Sequence, residues 1–158
     1  MRKLIITLCS LFLIFLFIGT IGVTSLHANL IVFYITKCEK TGRRQLVYEP
    51  NSYNGGMAPN APPGSYYVYE IKIEWYLYHD DVYPTNLWRS NQPGAYANGN
   101  RIFYNVSPYN YDCQWSWLYM EIKCASDYRR FDWVPPGTWY YQAEFEGETT
   151  PEESETVP

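Results

Sequence analysis

Histidine is scarce in this chain. There are two in 158 residues; His27 lies at the boundary of an apolar N-terminal segment, which leaves His79 alone in the rest. A zinc centre needs several His or Cys at short spacing, and a nucleophile activated by histidine needs a carboxylate to orient the ring. His79-Asp80-Asp81 is the one place where those types adjoin. Neighbours along a strand point to opposite faces, so the expectation is that His79 and Asp80 diverge at a solvated strand end. The same aspartates lack the further oxygen ligands calcium requires. Clustered Lys and Arg are missing too: Arg43-Arg44 and Arg129-Arg130 are isolated pairs, not the basic stripe of a nucleic-acid surface. There is no Gly-rich phosphate loop and no G-x-S-x-G. No catalytic residue, metal ligand or cofactor is expected, and no nucleic-acid partner.

Charge is also missing from the N-terminus after its first residues. Arg2 and Lys3 are followed by an uncharged run from Leu4, with Gly19 and Gly22 near its end. This is the layout of a secretory signal over residues 1–28, with cleavage expected after Ala28 or Ser25. Leu4 to Val23 is also long enough to cross a bilayer once. The alternative is therefore an uncleaved signal-anchor with its positive end in the cytoplasm. Both readings put the rest of the chain outside the cytoplasmic membrane, secreted or tethered, with membrane contact only through the N-terminal segment if it is retained. Without residues 1–28, ten basic residues face sixteen acidic ones.

What is abundant is aromatic: 17 Tyr and 6 Trp. These residues favour half-buried pleated surfaces. Tyr66 to His79 alternates, with Tyr67, Tyr69, Ile71, Ile73, Trp75 and Leu77 on one face and Glu70, Lys72 and Glu74 marking the other, a long amphipathic strand. Leu30 to Lys37 reads as a central strand and Gln45 to Glu49 as a short one. Pro50 to Ser65 and Tyr83 to Gly99 are turn-rich. Arg101 to Val106 and Thr138 to Glu146 complete the strands, with Gln114 to Ala125 preferred as strand although a helical template also fits it. The tail, residues 148–158, is acidic and lacks aromatics, and is expected to be disordered. The pattern predicts an all-β fold over residues 29–147, a small antiparallel β-sandwich.

Beyond Cys9, three cysteines remain: Cys38, Cys113 and Cys124. Were Cys113 to Cys124 one extended strand, the sulfurs would lie ~36 Å apart, far beyond disulfide reach. A 113–124 bridge needs a turn, and no Gly or Pro lies between them. The expectation is Cys38 bridged to one of the other two, or three reduced thiols. Asn105-Val106-Ser107 is an N-glycosylation sequon, followed directly by Pro108.

Trp115, Trp117 and Tyr119 form the candidate binding set. If Leu118, Met120, Ile122 and Cys124 face the core, these three point away from it, ~7 Å apart per step. Such a stripe suits stacked sugar rings or a protein contact, or else is covered by a second sheet. Pro136-Gly137-Thr138-Trp139-Tyr140 resembles the lead-in to the closing strand of immunoglobulin-like domains, including fibronectin type III and polycystic-kidney-disease-type repeats. Trp75 between Cys38 and Cys124 is similar to the tryptophan of the immunoglobulin core. The resemblance implies an extracellular interaction domain with no catalytic residues. The expected function is an exported domain that binds a protein or glycan through surface aromatics, ahead of a structural subunit of an extracellular assembly and of a small hydrolase.

Overall fold

The computed structural model describes residues 32–49 and 64–158. Residues 1–28, read above as a signal or signal-anchor, and most of the stretch Pro50 to Ser65, read as turn-rich, lie outside the described residues. Nine strands follow: β1 (Val32–Tyr48), β2 (Ser65–His79), β3 (Thr85–Ser90), β4 (Asn100–Val106), β5 (Asn110–Ser116), β6 (Glu121–Val134), β7 (Gly137–Phe145), β8 (Glu148–Thr149) and β9 (Glu153–Val157). A one-turn helix, α1 (Ala95–Asn98), connects β3 to β4. The fold is all-β, with two antiparallel sheets, ordered β1-β2-β6-β5 and β4-β3-β7, the free side of β7 carrying β8 and β9. Among the described residues no helix is long and apolar enough to cross a membrane.

The alternation of β2 sets the first sheet. Ile71, Ile73, Trp75 and Leu77 are buried on one face, while Lys72, Glu74, Tyr76 and Tyr78 are half-buried on the other. Trp75 stacks on Tyr128 of β6 at 5.5 Å and 5° between planes. Its indole N–H donates to Thr85 Oγ1 at 2.8 Å, which ties β2 to the start of β3. Leu87, Val106, Tyr141, Ala143, Phe145 and Val157 of the second sheet meet this face in one core. Inside that core the Tyr141 hydroxyl donates to Asp132 Oδ2 at 2.9 Å. Arg89 Nη1 reaches both Asp132 oxygens at 2.9 Å, with its guanidinium 4.9 Å from the centre of the Trp139 ring. The Asp132 carboxylate of the first sheet thus has hydrogen-bond donors from β3 and β7 of the second.

Three expectations are corrected here. The Leu30–Lys37 strand is not central: β1 is an edge strand continuing to Tyr48, bulged between Ile35 and Lys37 and again between Lys40 and Arg44. Thr85–Ser90, inside a stretch read as turns, is a strand whose Leu87 is fully buried. The tail is ordered. β8 and β9 run in succession along the edge of β7, interrupted at Pro151, which has no N–H to donate. Across the break Thr150 Oγ1 accepts from the Ala143 N–H at 3.1 Å. Glu152 Oε2 accepts the N–H groups of Gly94 and Ala95 at 2.7 Å, closing the start of α1. Glu153 and Glu155 share a face with Val157 but stay exposed or half-exposed, and Val157 alone of the three reaches the core, so an acidic composition disguised an edge strand.

Candidate functional site

The Gln114–Ala125 segment is neither one strand nor a helix. It is the turn of the β5–β6 hairpin, which pairs Cys113 with Cys124, Trp115 with Ile122 and Ser116 with Glu121. Trp117, Leu118, Tyr119 and Met120 make the reversal, and Met120 takes the left-handed conformation at φ 56° that glycine would ordinarily supply. The turn brings Cys113 and Cys124 to a Cα separation of 4.0 Å and they form the disulfide. This corrects the expectation of a Cys38 bridge. Cys38 is free and half-buried on β1; burial, with Glu155 and Glu153 nearby, pushes its thiol up to about 12.

The hairpin overshoots its sheet. β2 ends at His79, opposite Cys124. The rungs 114–123, 115–122 and 116–121 therefore project past the last β2 residue by ~10 Å before the turn begins. Trp115 and Ile122 lie on the core-facing side, but no core remains beneath them. That is why Trp115, Trp117, Leu118, Met120 and Ile122 are all exposed, Trp117 and Leu118 at 79% each. The division expected between outward aromatics and inward aliphatics does not hold: only Cys124 of the inward set is buried. Tyr119 is half-buried, its ring 5.0 Å from Lys123 Nζ. Lys123, itself buried, pairs with Glu121 at 2.6 Å. Trp115 and Trp117 meet edge to face, 6.2 Å apart at 81°.

The same end of the domain carries the 80–84 and 146–147 turns. His79 packs against Tyr83 and Phe145, each at 5.0 Å between ring centres, so these turns meet beside the hairpin. Their charges are acidic: Asp80, Asp81, Glu146 and the adjoining Glu148. His79 Nδ1 contacts Asp80 Oδ1. The expected divergence of that pair fails because β2 stops at His79 and strand alternation stops with it.

Other charged groups form a structural strip on the outer face of the first sheet. Glu39 sits 3.0 Å from Lys72, Lys72 3.9 Å from Glu74, and Glu74 2.6 Å from Arg129. The hydrogen bond from Lys72 holds the Glu39 carboxyl below its ordinary range, and its counterpart raises Lys72. Beside the strip, the β1 bulge folds over the buried Glu70: Thr41 Oγ1 donates to it at 2.8 Å and Arg43 lies at 3.3 Å. Gly42, at φ +82°, makes that bulge feasible. Cations here already have carboxylate partners, so the strip offers no free charge of one sign. Among the described residues no group of three or more His, Cys, Asp or Glu could hold a metal. Asn105 is exposed at the end of β4, its N–H bonded to Asn86 Oδ1 at 3.2 Å.

Sequence reasoning selected Trp115, Trp117 and Tyr119 but missed Leu118, Met120 and Ile122 as part of the same surface. Two cysteines spaced to face each other across a hairpin were the available signal. No protein-family model matches the chain, and no curated protein or solved structure matches it.

Proposed function

We propose that this chain is an exported binding domain that engages a protein partner through the tip of the β5–β6 hairpin. The observation that carries the reading is the five large apolar side chains exposed together on one disulfide-braced projection. Contiguous exposed apolar surface on a soluble domain marks an interaction site, and Trp supplies much of the binding energy at such sites. A protein surface fits better than a glycan. The two indole planes are crossed, so they offer no shared platform for successive sugar rings, and Leu118, Met120 and Ile122 bring no hydrogen-bonding groups. The acidic turns alongside favour a partner whose apolar cleft is flanked by Lys or Arg.

The architecture supports an immunoglobulin-like domain. The order β1-β2-β6-β5 facing β4-β3-β7-β9 follows the A-B-E-D and C′-C-F-G arrangement. On this reading Pro136–Tyr140 leads into strand F, with β9 as the closing strand. Trp139 Nε1 donates back to the Pro135 carbonyl at 2.9 Å, a bond placed like the tyrosine corner of that fold. The cysteine bridge differs, since it lies within one sheet. A disulfide supports an oxidising compartment, in agreement with the signal-like N-terminus.

Arrays of extracellular proteins and of glycans, screened with the wild type and with Trp117→Ala/Leu118→Ala, test the reading. The expected result is a protein hit whose affinity falls about thirtyfold in the variant with an unchanged thermal transition. Binding confined to glycans, or protein binding indifferent to the substitutions, would overturn it.

A further inference from the structure

Strand edges differ in how they are protected in this domain. β1 carries two bulges and the cations Lys37, Lys40, Arg43 and Arg44. β4 is irregularly registered against β3 and carries the left-handed Asn105 next to its end. The β8–β9 edge is broken at Pro151, and Lys40 Nζ donates to its Thr156 carbonyl. These are the usual devices that prevent edge-to-edge pairing. β5 has no bulge, break or cation, and its one charge is Asp112. Its register with β6 is unbroken from Asn110 to Ser116, it contains no Pro, Lys or Arg, and all its residues but Ser116 are exposed. Among the described residues no strand pairs with its outer side.

The direction of its backbone groups follows from the disulfide rung. A Cα separation of 4.0 Å marks Cys113 and Cys124 as a narrow, non-hydrogen-bonded pair. The N–H and C=O of Cys113 therefore point away from β6, and by the period of two so do those of Tyr111 and Trp115. We propose that β5 pairs antiparallel with β5 of a second copy of the chain, about a two-fold axis at Cys113, joining two four-stranded sheets into one of eight. In this register all outward donors and acceptors of Tyr111, Cys113 and Trp115 find partners. Tyr111 stands opposite Trp115 of the second copy, a favourable cross-strand aromatic pair, and Asp112 stands opposite Gln114, with no like charges facing. The contact is isologous, and the protected edges elsewhere close the assembly at two copies. Pro108 ends the pairing. The hairpin tips then point in opposite directions, ~27 Å apart; the pairing engages Trp115 but leaves Trp117, Leu118 and Met120 of each turn free, so on the proposed reading of the tip it makes the domain bivalent.

Sedimentation equilibrium of the chain isolated from an exporting host, from micromolar to near-millimolar concentration, tests the proposal. Wild type should reach twice the single-chain mass. Gln114→Asp sets two carboxylates opposite Asp112 across the axis and should remain single-chain at the same concentrations. Gln114→Lys sets a cation opposite Asp112 across the axis, although also opposite Lys123 within its own hairpin, and should dimerise at far lower concentration than Gln114→Asp. Tyr111→Pro removes an outward N–H without touching the β6 ladder and should also remain single-chain; if it does not fold, the two Gln114 variants decide the matter. A wild type of single-chain mass throughout, an assembly larger than two, or equal dimerisation of Gln114→Asp and Gln114→Lys would overturn it.

Discussion

Replacing Cys113 and Cys124 together by Ala opens the brace of the hairpin, and the size of the effect follows from its position. The bridge closes a segment with a sequence separation of 11. The chain-entropy relation gives about 9 cal/mol/K for such a loop, or about 3 kcal/mol at 25 °C, removed from the unfolded state. For a domain of this size that corresponds to a fall in Tm of about 10 °C. The local effect should be larger than the global one at the rungs 114–123, 115–122 and 116–121, because β2 ends before them. Urea unfolding monitored by tryptophan fluorescence gives the global value, and amide hydrogen exchange resolves the local one. Exchange should rise at Gln114, Ser116 and Lys123 while the β2 amides of Ile71 and Ile73 keep their protection. A peptide map of the unreduced chain must show Cys113 joined to Cys124. A loss below about 1 kcal/mol, with tip protection intact, would refute the claim that this bridge holds the projecting hairpin.

Further outcomes follow from other parts of the fold. Asp132→Ala leaves the Arg89 guanidinium and the buried Tyr141 hydroxyl without their shared acceptor, and should lower stability by about 3 kcal/mol in urea titrations. Val157→Ala, at a position 2% exposed, should cost about 2 kcal/mol; a neutral result would mean that β9 does not close the core. Burial raises the Cys38 thiol to about 12 and also raises the hydroxyls of Tyr141, beside Asp132, and Tyr128. The folded state therefore holds these protons after the unfolded chain releases them. Their contribution should persist below pH 9 and decline between pH 9 and about 12, as thermal melts across that range would record. For the same reason native Cys38 should alkylate at pH 8 on the order of 10³-fold more slowly than in the unfolded chain.

Much of the strand content was legible because burial imposed it. Ile71, Ile73, Trp75 and Leu77 alternate since one face of β2 meets the second sheet, and Ser65–His79 lies within a residue of the expected span. Thr138–Glu146 corresponds to β7 for the same reason. The hairpin was hidden because alternation continues through Ser116, Trp117, Leu118, Tyr119 and Met120 as though the chain ran straight. The reversal depends on Met120 at positive φ, a conformation with no side-chain signature. Apolar character then misled about Leu118, Met120 and Ile122: burial depends on how far the neighbouring strand extends, and β2 stops at His79. β9 was hidden for the opposite reason, since an edge strand needs only one apolar anchor and Val157 is enough.

The position of the cysteine bridge also bears on how the domain yields to a pulling force. A link between sheets would cap the length released on rupture, whereas this bridge fastens two adjacent strands of a single sheet. If the chain is drawn out, the bond withholds only the residues between Cys113 and Cys124, ~35–40 Å of contour. Everything before and after them is free to extend, so resistance to tension resides in the ladders and the packed core.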